Sequence, residues 1–134
     1  MTSNKILLIE DDLMNIELFR KYCRMIGIDY DIFLPRTHDE SGLKEELKEV
    51  LLLGKPTLVL LDYNLWGPIT GDMLAPVVHQ AGIPFVGCSG QEYNNNELIK
   101  LGAYGAVGKE VFESADVFQQ KVSQVLRALQ SGKS

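Results

Sequence analysis

Two cysteines, two histidines, one tryptophan and no long apolar run occur in these 134 residues. Each scarcity excludes something. Cys23 and Cys88 lie far apart in otherwise apolar segments and form no C-x-x-C pair. That excludes a disulfide scaffold or a zinc knuckle and leaves buried thiols of a reducing compartment. His38 and His79 are isolated and read as surface residues rather than metal ligands or relay sites. No window approaches the roughly 18 apolar residues of a membrane helix, and "MTSNK" has no apolar signal core, so a cytoplasmic location is expected. Basic residues are also short: 13 Lys and Arg stand against 18 Asp and Glu, a formal net charge of −5. That argues against a general electrostatic grip on nucleic acid, which needs clustered cations to displace phosphate counterions.

What is present suits one globular domain over 1–134: 46% apolar and 23% charged residues, with no internal repeat or low-complexity tract. The first pattern is a continuously apolar run, 6–9, with no alternation, as in a strand buried on both faces. Leu13, Ile16, Phe19, Cys23 and Ile26 then recur at helical steps up to Gly27. "IDYDIFLP" predicts a second strand closed by Pro35. Residues 38–53 predict a charged helix stopped by Gly54, and 57–62 the clearest strand. A helix over 72–80 is expected to break or kink at Pro76. Strands over 83–89 and 105–109 bracket a short helix over 94–101. Ser114 is the expected cap of a last helix with Ala115, Phe118, Val122, Val125, Leu126 and Leu129 inward. The polar tail "LQSGKS" lacks the first glycine of a phosphate loop and any following helix.

Five such strands alternating with five helices predict an α/β fold: a doubly wound, five-stranded parallel sheet with helices on both faces. Ligands of such sheets sit outside the carboxyl ends of the strands, where strand order reverses. Those ends carry Glu10-Asp11-Asp12, Asp62, Ser89 and Lys109. Singly, each has an ordinary role. Asp12 before "LMNIEL" suits a helix N-cap, and Asp62 a turn residue. Together they conflict. A carboxylate pair about 4 Å apart repels by roughly 1 kcal/mol in water and roughly 4 at an effective dielectric of about 20. A cation or raised pKa values must compensate. Oxygen donors with no His or Cys among them favour Mg²⁺ over zinc.

The acids after "KILLI", "LVLLD" with Asp62, Ser89 after "FVGC", and "GAYGAVGK" with Lys109 resemble the receiver domain of two-component response regulators, in order and over nearly the full length. The resemblance implies a flavodoxin-like fold and a phosphoryl group taken onto Asp62 from a histidine kinase or histidine phosphotransfer protein. It implies Mg²⁺ held by Asp11, Asp62 and the backbone carbonyl of Asn64, with Glu10 reaching it through water. Lys109 would neutralise a phosphoryl oxygen, and Ser89 would donate a hydrogen bond to another. Gly90 would leave the site open, and Asn64 and Gln91 would flank the acceptor and tune attack by water. The protein is then no conventional enzyme; it catalyses its own aspartyl phosphorylation and signals by binding another protein.

Several residues depart from the family's pattern. Ala106 stands where an aromatic is usual, and Glu110 where proline is usual. The loop "DYNLWGPITG" is one residue longer, with Trp66 as a partner contact, a lid or a residue packed on its own domain. The helix after Ser89 is short and Asn-rich. A haloacid dehalogenase-type hydrolase is disfavoured, because Asn64 stands where it needs a second acid. A pseudo-receiver that binds partners without phosphorylation is the alternative. No output domain fits after the last helix. Stand-alone regulator, relay shuttle and fragment of a larger protein stay open, as does the choice between monomer and weak dimer.

Overall fold

The computed structural model describes residues 4–37, 39–65 and 67–131. His38, Trp66 and the "GKS" end of the tail lie outside the described residues. The elements run β1 (Lys5–Ile9), α1 (Leu13–Ile26), β2 (Asp29–Phe33), α2 (Glu40–Gly54), β3 (Leu58–Leu61), α3 (Gly71–Gln80), β4 (Phe85–Gly87), α4 (Glu92–Lys100), β5 (Gly105–Ala106), a 3-10 turn (Lys109–Phe112) and α5 (Ala115–Ser131). All strand pairs are parallel, in the order β2-β1-β3-β4-β5. This is the doubly wound α/β sheet that the apolar strands predicted.

The unbroken apolar runs follow from the pleat. Successive side chains point to opposite faces, and helices cover both. Ile6, Leu8, Leu58 and Leu60 enter one core with Phe19, Cys23, Phe118 and Val122 of α1 and α5. Leu7, Ile9, Val59 and Leu61 enter the other, with Leu47, Leu74, Val78 and Leu98 of α2, α3 and α4. Phe19 sits edge-on to both Tyr30 and Phe118, with ring centroids 5.8 Å apart in each pair. Full burial of one such side chain contributes roughly 1.5–3 kcal/mol. Both cysteines are buried, and burial pushes the Cys23 thiol up to about 12 and Cys88 well above its ordinary value, so neither is a ready nucleophile.

Four expectations need correction. Helix α3 runs unbroken through Pro76. Proline removes one hydrogen bond there, and burial of Leu74, Ala75, Val77 and Val78 around it holds the helix. Helix α2 includes Gly54, and the left-handed position falls on Lys55 (φ +47°). Helix α4 starts at Glu92, so Asn94 and Asn95 are inside it. Strand β5 ends at Ala106 rather than at Lys109. Val107 N–H still donates to the Gly87 carbonyl at 2.8 Å, but Gly108 (φ +69°) then turns the chain and Lys109 opens the 3-10 turn.

Strand order reverses between β1 and β3. The chain leaves β1 to β2 on one side, then returns to β3 on the other. The carboxyl ends of these two strands therefore border the crevice in which such sheets hold ligands.

Candidate functional site

Each acid is delivered by a short local rule. Glu10 follows β1 directly, still paired through its N–H to the Phe33 carbonyl at 3.3 Å. Asp12 leaves the strand direction and caps α1: its carboxylate accepts from the N–H groups of Met14 (2.9 Å) and Asn15 (3.3 Å). Asp11, between them, is half-buried and faces the crevice lining. Asp62 follows β3, its N–H donating to the Ile9 carbonyl at 3.1 Å, which ties it to β1. Gly71 at the start of α3 packs on the Asp62 backbone so closely that a Cβ there would overlap the Asp62 carbonyl.

These elements bring three carboxylates together. Glu10, Asp11 and Asp62 each offer an oxygen, and the three oxygens lie within 4.8 Å of one another. Lys109 Nζ spans two of them, 2.9 Å from Glu10 Oε1 and 3.1 Å from Asp62 Oδ2. The backbone N–H of Tyr63 donates to Asp62 Oδ1 at 2.8 Å. Glu10 also accepts from the Asp12 N–H and from Asn15 Nδ2, both at 3.4 Å. Ser89 lies two residues beyond β4 and is buried.

A cavity of about 430 Å³ opens over the group. Glu10, Asp11, Asp62, Asn64, Ser89 and Lys109 all line it, with Asp12, Asn15, Leu65, Gly90 and Gln91. All six site residues expected from the sequence thus share one cavity. A larger one, about 570 Å³, lies at α2 and α3 with Leu51, Leu52, Val77 and Ile83 in its wall, but no carboxylate lines it.

The electrostatics are unbalanced. One ammonium faces three carboxylates. Glu10 is pushed up to about 7, by burial first and then by the charge of Asp62 and a hydrogen bond shared with it; Lys109 opposes the rise without cancelling it. Asp11 is also raised, by burial and then by Glu10. Burial alone would lower Lys109, yet the acidic groups around it, with the Asp62 and Glu10 carboxylates in direct contact, carry it above the ordinary lysine value. Lys109 is therefore charged, and Glu10 is only partly ionised near neutrality. Three hard oxygen donors short of positive charge fit a small divalent cation.

No family model and no curated protein matches the chain. Solved structures do match, over nearly all of it. The N-terminal domain of a response regulator/sensory box/GGDEF 3-domain protein from Carboxydothermus hydrogenoformans aligns with a TM-score of 0.76 at 22% identity, covering 98% of this chain and 100% of that one. The signal receiver domain of a modulated diguanylate cyclase from Desulfovibrio desulfuricans gives 0.74 at 18% identity, covering 98% and 100%. The BeF3-activated N-terminal receiver domain of RstA from Klebsiella pneumoniae gives 0.64 at 28% identity, covering 79% and 86%.

This is the receiver-domain fold. Within that receiver frame, Ala106 is exposed at the end of β5, and Tyr104 precedes the strand with half its surface in solvent. Gly90 keeps clear the space beside the lysine, where a Cβ would lie 3.3 Å from Lys109 Cγ. Sequence reasoning missed Asn15, which donates to Glu10, and Asn94 and Asn95, which bond to Ser89. The signal was available for two of them. Three successive asparagines form part of a helix that asparagine disfavours, a local conflict that asks for a tertiary reason.

Proposed function

We propose that the protein is a phosphoryl-accepting receiver of a two-component system, working in the cytoplasm. The observation that carries this is Lys109 bridging Asp62 and Glu10 at 3.1 and 2.9 Å beside Asp11, in a cavity at the reversal of strand order. A merely structural ion pair has no need of the third carboxylate.

Asp62 is the acceptor. Its carboxylate oxygen forms a bond to phosphorus while the phosphorus–nitrogen bond of a phosphohistidine on the partner kinase or phosphotransfer protein breaks, and the imidazole nitrogen keeps the electron pair. Carboxylates are weak nucleophiles, so positioning and charge neutralisation supply the acceleration. Lys109, 3.1 Å from Asp62 Oδ2, would hold a phosphoryl oxygen. Ser89 offers its hydroxyl to another. Glu10, Asp11, Asp62 and the Asn64 carbonyl would hold Mg²⁺. Bound there, the ion would supply the positive charge that three carboxylates and an incoming phosphoryl group require. Output is through binding another protein.

Intact-mass spectrometry with acetyl phosphate tests the proposal. The expected result is one phosphoryl adduct, only with Mg²⁺, lost in Asp62→Asn. Exposed Ala106 in place of an aromatic favours a second reading, a pseudo-receiver that binds partners without phosphorylation. An unchanged mass, with no response to Mg²⁺ or beryllofluoride, would select it.

A further inference from the structure

Asn94 and Asn95 are buried inside α4, whereas Asn96 is exposed. Asparagine is a poor helix former because its carboxamide competes for nearby backbone groups. A buried carboxamide must also find partners. Asn95 finds them on Ser89, and Asn94 on Ser89 and Gln91. Asn95 Oδ1 accepts from the Ser89 N–H, and Asn95 Nδ2 donates to the Ser89 carbonyl, each at 3.0 Å. One side chain thus takes the place of the strand partner that Ser89 lacks once β4 has ended at Gly87.

The strand is adapted to this amide. A Cβ on Gly87 would lie 2.6 Å from Asn95 Oδ1. Only glycine leaves the carboxamide room against β4. The Ser89 hydroxyl is held as well. Its oxygen accepts from the Gln91 N–H at 3.1 Å and from Asn94 Nδ2 at 3.4 Å, and Asn94 Nδ2 also donates to Gln91 Oε1 at 3.1 Å. A serine hydroxyl has two acceptor sites and one proton. Both acceptor sites are taken by N–H donors, so the proton is free to be given to something in the cavity that Ser89 shares with Asp62 and Lys109.

We propose that Asn95, seated against Gly87, is a positioning residue that fixes Ser89 so that its hydroxyl proton is available to a phosphoryl oxygen on Asp62, with Asn94 setting the direction of the hydroxyl. The inference rests on the receiver function above. Its physical content is preorganisation: a donor already aimed needs no reorganisation when the phosphoryl group arrives.

The test uses the full chain, Asn95→Ala, Gly87→Ala and Ser89→Ala, and three readouts: Mg²⁺ affinity by calorimetry, beryllofluoride affinity at saturating Mg²⁺, and hydrogen exchange of the Ser89 amide without either ligand. Asn95→Ala is expected to weaken beryllofluoride about tenfold, the scale of one or two net hydrogen bonds. Mg²⁺ affinity should change less than about twofold, and the Ser89 amide should exchange about tenfold faster or more. Gly87→Ala should reproduce this pattern from the strand side, with weaker beryllofluoride, faster exchange and little change in Mg²⁺ affinity, which keeps the test intact if Asn95→Ala fails to fold. In the Ser89→Ala background, Asn95→Ala should add less than about twofold. Equal weakening in both backgrounds, or unchanged beryllofluoride affinity in a folded Asn95→Ala, overturns the proposal. A wild-type protein that binds neither Mg²⁺ nor beryllofluoride overturns the receiver function itself. Ser89 amide exchange separates that failure from a failure of the asparagine clamp, because it is read on the ligand-free protein.

Discussion

Burial of Glu10 beside Asp62 outweighs its ion pair with Lys109 and makes stability depend on pH in the direction opposite to that of a carboxylate whose pKa an ion pair has lowered. Glu10 is 1% exposed, and its pKa is pushed up to about 7 from an ordinary 4.5. Between those two values the folded protein holds a proton that the unfolded chain has released. Stability must therefore fall as pH rises through this window, being fully present below about 4.5 and lost above about 7. A difference of about 2.5 pKa units corresponds to about 3 kcal/mol, or roughly 10 °C in Tm for a chain of this size. Mg²⁺ held at the carboxylates as proposed would work against the loss, since it would bind the folded form with Glu10 deprotonated. Its affinity should rise with pH up to about 7. Thermal and urea melts of wild type and Glu10→Gln across this range, with chelator and with excess Mg²⁺, measure both effects. Wild type in chelator should lose stability relative to Glu10→Gln as pH rises, and Mg²⁺ should restore it. Parallel curves for the two proteins in chelator would refute the reasoning, as would a wild-type slope that Mg²⁺ leaves unchanged.

Two other substitutions probe how the acids are placed. Asp12→Ala removes both cap hydrogen bonds of α1 and should destabilise by about 1 kcal/mol in urea melts while leaving Mg²⁺ affinity unchanged; loss of Mg²⁺ binding would transfer the ligand role from Asp11 to Asp12. Gly71→Ala drives a Cβ into the Asp62 carbonyl and to 3.0 Å from Tyr63 Cα, backbone atoms that cannot swing aside. It should cost about 1–3 kcal/mol and slow phosphoryl uptake, and a wild-type melting curve with wild-type uptake would contradict the close packing.

Local patterns in the chain were sufficient for much of the architecture. Strands read as unbroken apolar runs because both faces are covered, and amphipathic steps marked α1 and α5. Asp12 and Ser114 announced their caps, and Ser114 Oγ does accept from the Val117 N–H at 3.2 Å. Two of the corrections have one cause in common: a residue with a strong local preference was overruled by its surroundings. Pro76 is carried inside α3 by burial on both sides. Gly54 stays helical while Lys55 takes the left-handed turn. Lys109 ends no strand, because Gly108 turns the chain first.

The acids and the serine were legible as residues that follow strands, the lysine was expected at a strand end that it does not occupy, and their order along the chain was enough to suggest one site. Sequence position alone could not assign their distances. That Lys109 reaches Glu10 and Asp62 together depends on β1 and β3 being neighbours, and on β5 lying two strands beyond β3 with a turn after it. The division of "EDD" into a buried acid, a half-buried one and a cap was foreshadowed by helix capping. The raised pKa of Glu10 was not, because it arises from burial and from a carboxylate 52 residues away. The asparagine clamp on Ser89 was decided wholly in three dimensions: it needs α4 packed on β4 at the one strand position where glycine leaves space for an amide. Backbone propensity and apolar periodicity act between near neighbours and can be read along the chain. Charge coupling, hydrogen bonding and steric fit act through space, and only the packed sheet sets which residues they join.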